Sequence, residues 1–260
     1  NGWFGAKLQG VVDHRYLQVR QNMMHFDLHI HSLNSCDSKT EVIDIINSAQ
    51  KDNLSGIAIT DHQALTYFDD NAYSSPLWII RGSEIKTEIG DIIGLFIRKP
   101  LLSRKSFDLI EEIHSQDGIA ILAHPFKRFD NYPESVIKRI DAVEIINSRW
   151  VNLDEYKENN QVNKLLSIVK GRTAGSDAHF AFEVGRAVMS TPNISSQDEL
   201  KKIILEGTGK ASCNEYSEWM DELSQVIKLI KNPNAYQILR ILYRVVKRLI
   251  KHQHGMITIK

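Results

Sequence analysis

The sequence predicts an α/β fold closed into a barrel, with a helical carboxyl-terminal extension. Three observations lead there. Between residues 25 and about 190, seven short runs rich in Ile, Leu and Val alternate with longer amphipathic stretches. No glycine-rich phosphate loop follows the first run, as an open dinucleotide-binding sheet would require. The His, Asp and Glu residues also gather at the carboxyl ends of the runs, where barrel enzymes keep their sites.

The runs are HFDLHIH (25–31), LSGIAIT (54–60), LWIIRGSEI (77–85), DIIGLFI (91–97), GIAILAH (118–124), AVEII (142–146) and LLSIVKGRTAG (165–175). Few alternate with polar residues, which marks strands buried on both faces. Between them, KTEVIDIINSAQKD (39–52) reads as a helix with Val42, Ile45, Ile46 and Ala49 on one face. SRKSFDLIEEIHSQDG (103–118) reads as another, with Ser103 as cap and Gly118 as stop. Repeated strand–helix–strand units indicate a parallel sheet with right-handed crossovers. Past residue 190 the texture becomes helical: a capped helix over 195–207, a second over 213–231, a break at Asn232-Pro233-Asn234, and a third over 235–255. The organisation expected is an amino-terminal segment (1–24) without signal-peptide layout, a barrel (25–194) and a helical extension (195–260).

Composition narrows the function. The 260 residues are 42% hydrophobic and 25% charged, with 32 basic against 32 acidic side chains. That balance excludes a disordered chain and gives no global charge to steer it towards nucleic acid or membrane. Two distant cysteines, Cys36 and Cys213, exclude a disulfide scaffold and a thiolate zinc cage, and fit a cytoplasmic location. No apolar run approaches the ~18–20 residues that cross a bilayer. In the third carboxyl-terminal helix, Arg240, Arg244, Lys247, Arg248 and Lys251 share one side, with Ile238, Ile241, Leu242, Val245 and Leu249 on the other. The expectation is a helix docked by its apolar side with its charges in water; a nucleic-acid contact, a protein-partner face or a junction to a further domain is the alternative.

Four motifs at strand ends carry the chemistry: Asp27-Leu28-His29-Ile30-His31-Ser32, Thr60-Asp61-His62, Ala123-His124-Pro125 and Gly175-Ser176-Asp177-Ala178-His179. Residues i and i+2 of a strand share a face, so His29 and His31 can grip one ion together. Glu84 and Asp37 add two carboxylates. Each motif alone has an ordinary reading as packing, turn or cap. Together they place five of the ten histidines at successive strand ends, which a barrel brings to one rim. A shared metal site is the better reading.

This set, DLHIHS, Asp37, ITDH, Glu84, AHP and GSDAH, resembles the PHP (polymerase and histidinol phosphatase) family of metal-dependent phosphoesterases, over residues 25 to about 190. The resemblance implies a distorted (β/α)7 TIM-like barrel holding two or three divalent ions (Mn, Zn, Fe or Mg). It implies one ion on His29, His31, Glu84 and Asp177, a second on Glu84 and His124 with Glu84 bridging, and a third on Asp37, His62 and His179. Where the family commonly has a histidine after the glutamate strand, this chain has Asp91. An oxygen ligand there moves the second site towards manganese or magnesium; alternatively Asp91 does not ligate. Asn147 stands where the family can offer another ligand, and an amide suits a water contact or packing equally well.

Such an assembly suits phosphoester cleavage. A phosphomonoester carries about two negative charges at neutral pH and repels an anionic nucleophile. Clustered ions offset that charge, and a metal-bridging hydroxide can attack in line. Glu84, Asp177 and His179 belong to that catalytic set. Asp61, adjacent to His62 on a strand, faces away from it and reads as a support. Arg149, with Lys86 and Arg186 as alternatives, is the candidate substrate-phosphate contact; each also reads as a surface charge. Trp150 and Phe126 could stack on a base, or pack. The expected activity is a phosphatase or nuclease on a phosphorylated nucleotide or short nucleic-acid end. The rivals are a small-metabolite (histidinol-phosphate type) phosphatase and a non-catalytic metal-binding module of a larger assembly.

Overall fold

Runs of Ile, Val and Ala too short to make helices pair laterally to satisfy their backbone, and they bury both faces in doing so. The computed structural model describes residues 23–67, 76–127, 131–149, 160–214, 219–236 and 238–246. Among them are strands β1 (Met23–Ile30), β2 (Gly56–Ile59), β3 (Trp78–Thr87), β4 (Gly90–Leu95), β5 (Ile119–Leu122), β6 (Ala142–Asn147), β7 (Gly171–Gly175), β8 (Ala187–Pro192) and β9 (Lys210–Cys213). Helices α1 (Val42–Lys51), α2 (Ser106–His114), α3 (Glu134–Ile137), α4 (Asn160–Ile168), α5 (Gln197–Glu206) and α6 (Met220–Lys231) intervene or follow. Every residue of β2, β4 and β5 is buried.

The sheet order is β7-β6-β5-β4-β3-β2-β1-β8-β9. The ends curl round until β7 meets β1, where Asp177 N donates to His29 O and His31 N to Ala178 O, both at 2.8 Å. This is the nearly closed barrel expected of an α/β chain. Gly175 makes the closure possible: a Cβ there would lie 2.3 Å from His29 Cβ. Three apolar clusters hold the barrel. One joins Phe26, Leu28, Ile93 and Ile121 to Leu200 and Ile204 of α5. A second seats α2 (Leu109, Ile110, Ile113) and α3 on β4–β6, and a third seats Ile45, Ile46 and Ala49 of α1 against Ile30 and Ile57.

Several expectations change. The sheet is mixed: β4 runs antiparallel to both β3 and β5, and β1 is antiparallel to β8. Only Glu88 and Ile89 separate β3 from β4, too few for a crossover, so a hairpin is forced. β8 and β9 are additional strands, and Leu165–Ile168 belongs to α4 rather than to the seventh strand. Ser103 does not cap α2; its N–H donates to Glu112 Oε2, and the cap position is Lys105. Ser196 caps α5, accepting from Glu199 N, and Gly207 ends it at φ 64°.

The basic carboxyl-terminal helix departs only in part from expectation: Ile241 and Val245 of its apolar side are half-buried and Arg240 is exposed. Residues 235–236 and 238–246 are helical, but Leu239 and Leu242 are 66% and 56% exposed, while Arg240 and Arg244 face a cavity. Residues 1–22, Trp150, Lys247, Arg248, Leu249 and Lys251 lie outside the described residues. No helix among those described is long and apolar enough to cross a membrane.

The closure generates one prediction. Gly175→Ala forces β7 from β1 and should cost ~2 kcal/mol, the usual scale of overpacking, lowering Tm by roughly 4–8 °C in calorimetry. An unchanged Tm would show that the two strands are not tightly apposed.

Candidate metal centre

The pleat of β1 points Asp27, His29 and His31 to one side, and its register against β2 shifts between Asp27 and Ile30. All three side chains are fully buried. His29 Nδ1 lies 2.9 Å from Glu144 Oε1 on β6, so that nitrogen carries the proton. Ser35 Oγ donates to Asp61 Oδ1 at 2.7 Å and therefore accepts from His31 Nδ1 at 3.1 Å. Both imidazoles are thus fixed with their Nε2 lone pairs facing each other, 3.0 Å apart. Two lone pairs at that distance repel unless a proton or a metal ion lies between them.

The carboxylates surround this pair. Glu84 Oε2 is 3.4 Å from His31 Nε2 and 3.6 Å from His29 Nε2, and Asp177 Oδ1 stands at 3.2 and 3.6 Å from the same atoms. Glu84 Oε1 reaches His124 Nε2 at 2.9 Å. Asp37 lies 3.3 Å from His179 Nε2 and 3.4 Å from His62 Nε2, and His62 Nδ1 lies 2.9 Å from Glu84. His179 Nδ1 is taken by Asp177 O, which leaves Nε2 facing Asp37. Three groups have ligand atoms close enough together for one ion each: His31, His62 and His179; His29, His31 and Asp177; His29, Glu84 and His124. Asp37 Oδ1 and Glu84 Oε2 are buried without a hydrogen-bond donor. Orphaned buried carboxylate oxygens beside facing imidazoles are what a cluster of divalent cations would satisfy, so the donors fit such a group.

The electrostatics agree. Burial alone would raise the Glu84 carboxyl, but His62 and His29 hold it well below its ordinary range. Asp177 is held down in the same way, chiefly by His29. Burial and the neighbouring His179 and His62 push His31 down to about 3. His29 is also penalised by burial, yet Glu144, Asp177 and Glu84 raise it well above its usual value. Asp27, raised to about 6 by burial, accepts from Ser176 Oγ and from the N–H groups of Ser176 and Gly185, tying β1 to the β7 exit.

Left-handed backbone marks the rim. His124 has φ 27° and Asp177 φ 56°, each in the sparsely populated region that costs about 1–3 kcal/mol and concentrates at functional sites.

The other sequence candidates divide. Asp91 lines the cavity 3.9 Å from His124 Nε2. Asp61 takes no part in the cluster directly; it accepts from Ser32 N, Ser32 Oγ, Ser35 Oγ and Thr66 Oγ1, bracing the loop after β1. Asn147 donates to Glu144 Oε2 and Asp177 Oδ2, and so orients both. Arg149 lines the cavity, but its guanidinium is buried in a forked pair with Glu183, at 3.0 and 2.5 Å, and donates to Ser224 Oγ. Lys86 is exposed in the cavity wall; Arg186 lies over Phe182 and does not line the cavity. Phe126 packs edge-on against Tyr132.

Sequence reasoning missed Glu144, Asp27, Ser35, Lys127 and Asp221. A signal existed for Glu144, the one charge in the apolar run AVEII, and for Asp27, two residues before His29 on the same face. None marked Asp221, because α6 reaches the site only through tertiary packing; there Lys127 Nζ lies 3.9 Å from both Asp177 Oδ2 and Asp221 Oδ1. The cavity over the cluster measures about 640 Å³ and is roofed by Asp221, Ser224, Gln225 and Lys228 of α6.

Comparison with known proteins places this geometry. The profile of the PHP domain matches residues 27–236. An uncharacterized protein of Methanocaldococcus jannaschii is 29% identical over 195 residues, spanning 68% of this chain and 75% of that one. A probable histidinol-phosphatase of Clostridium acetobutylicum is 25% identical over 249 residues, 70% of this chain and 97% of that one. A two-domain protein of Bacteroides vulgatus, described as containing a predicted PHP-like metal-dependent phosphoesterase, superposes with a TM-score of 0.59 at 17% identity, over 74% of this chain and 65% of that structure. The chain thus spans about two thirds of that protein, and the likeness shows the fold.

Glu144 generates the prediction here. Glu144→Gln keeps the volume but weakens the hold on His29, and partners of this kind are worth ~10–100-fold in metal affinity. Titration of the chelator-stripped chain with manganese, followed by the rise in Tm, should show that loss; equal affinity would mean that Glu144 only packs.

Proposed function

The chain belongs to the PHP domain family of metal-dependent phosphoesterases, and on that premise we propose that it hydrolyses a phosphoester of a nucleotide or short nucleic-acid end. We assign one ion to His29, His31, Glu84 and Asp177, a second to Glu84, His124 and Asp91, and a third to Asp37, His62 and His179. The observation that carries this reading is the facing Nε2 pair, 3.0 Å apart, with Glu84 and Asp177 within 3.2–3.6 Å of it. Asp91 in place of a nitrogen ligand favours manganese. Divalent ions, when bound, offset phosphate charge and acidify water at neutral pH.

The chain's own residues supply the rest. Glu84 touches His29, His31, His62 and His124, so it fixes the spacing of all three ion positions. Asp61 acts through Ser35 to hold the His31 tautomer. Lys127, in the cavity wall beside Asp177, is placed to meet a phosphate oxygen, with Lys86 opposite at the exposed rim. Arg149, committed to Glu183 and Ser224, fastens α6 over the site rather than meeting substrate directly. The α6 roof encloses the reacting groups, and a cavity of about 640 Å³ accepts a nucleotide-sized ligand. The relative named a probable histidinol-phosphatase favours a second reading, hydrolysis of a small-metabolite phosphomonoester by the same centre.

His31→Ala and Asp177→Ala should each lower manganese-supported hydrolysis of p-nitrophenyl phosphate by about 10²–10³-fold or more, the scale of one lost electrostatic contact, with cooperative melting retained. Lys127→Ala should chiefly raise KM. Unchanged turnover in the metal-reconstituted His31 and Asp177 variants would end the enzymatic reading.

A further inference from the structure

One buried carboxylate has no place among the ion ligands. Glu183 lies four residues past His179, in the single helical turn 181–183, and is fully buried. Its Oε2 accepts from the peptide N–H groups of His179 and Phe180, at 3.0 and 3.2 Å, and from Arg149 Nη2. Its Oε1 accepts from Arg149 Nε at 3.0 Å. The His179 carbonyl is held from the other side by Ser38 Oγ and Thr40 Oγ1, at 2.9 and 2.8 Å. With its Nδ1 bound to Asp177 O as well, the ring of His179 follows the position of its own backbone.

Arg149 carries the same network in two further directions. Its Nη1 donates to Ser224 Oγ of α6 at 2.8 Å. Its backbone N–H donates to Asn147 Oδ1, and the Asn147 amide in turn holds Glu144 and Asp177. Glu183 is thus the point where the exit of β6, the loop after β7 and the α6 roof meet. A carboxylate needed only to start a short turn could face water at little cost. Taking it out of water together with a guanidinium gives small or no net stability, so the buried pair is better explained by the geometry it enforces.

We propose that Glu183 is a positioning residue that acts through the His179 peptide on the third ion position and through Arg149 on α6, so that seating of the roof and filling of that position are coupled. The roof then reports, and controls, whether the ion held by Asp37, His62 and His179 is in place. The inference rests on the ion assignment of the phosphoesterase reading and adds to it what the buried pair is for.

The test uses the full chain, stripped with chelator and titrated with manganese by calorimetry, with elemental analysis counting the ions retained. Asp37 meets His62 and His179, so Asp37→Asn marks which ion is the third. Glu183→Gln keeps an oxygen for the His179 N–H but loses the charge that holds Arg149. It should weaken the third ion by about ten-fold or more and the others by less than about two-fold. Added to Asp37→Asn, it should cause no further loss. Ser224→Ala cuts the tie to α6 alone and should weaken the same ion by about two- to ten-fold, the scale of one hydrogen bond, with no added effect once Glu183→Gln is present. By reciprocity, filling the third position should slow amide exchange in α6 of the unsubstituted chain and not of the Glu183→Gln variant. A lowered Tm with every ion bound as before would reduce Glu183 to a folding role and overturn the coupling. Equal weakening of all ions, α6 exchange that ignores the third ion, or a chain that takes no third ion would overturn it too. If Glu183→Gln strands Arg149 and does not fold, Glu183→Gln with Arg149→Gln removes both charges together and is read in the same way. Turnover is scored separately: its absence on every phosphoester sinks the phosphoesterase reading, whereas ion binding and α6 exchange report the coupling alone.

Discussion

Two imidazole nitrogens held 3.0 Å apart in a fully buried site, each ring fixed through its other nitrogen, need a proton or a metal ion between them. Much of the surrounding structure exists to keep that demand in place. Glu144 fixes one ring and the Asp61–Ser35 relay fixes the other. Gly175 lets β7 close on β1 at His29, which brings Asp177 to the same point. Most of these supports are distant in sequence: Glu144 is 115 residues from His29, and only Ser35, four residues from His31, is local. The facing pair is therefore a product of barrel closure, and whatever loosens the closure loosens the site.

Such a site is costly to assemble. Glu84, Asp177, His29 and His31 are taken out of water together, and His124 and Asp177 adopt backbone conformations that side chains avoid. The three apolar clusters offset that cost, with α1, α2 and α5 each sealing a face of the sheet. The strain sits at strand exits, where few apolar contacts are lost by it. Bound cations relieve the repulsion, so folding stability and metal occupancy are linked.

The elements after β9 complete the cavity rather than hang from the barrel. Arg149 reaches Ser224 on α6, and Lys231 Nζ donates to the carbonyls of Leu33 and Ser35 in the loop that also orients His31. The roof is thereby tied to the loop that positions a ring of the cluster. Its inner surface presents Asp221 and Glu222 beside Lys228, so charges of both signs face the cavity from the roof.

The composition of single segments determined much of this protein. Period and length identified the buried strands, since a run such as GIAI has no polar face to expose. The i, i+2 spacing of His29 and His31 put both on one side of β1, because the pleat does not depend on the rest of the chain. Strand-end histidines and carboxylates could be read as one site from their positions alone. Tertiary structure decided what depends on distant partners. The direction of β4 followed from a hairpin too short to cross over, and the commitment of Arg149 followed from Glu183 and Ser224 arriving beside it. Which face of the last helix turns inward was likewise undetermined by its amphipathic pattern. A helical period defines two faces, but only the charge and shape of what they meet selects between them.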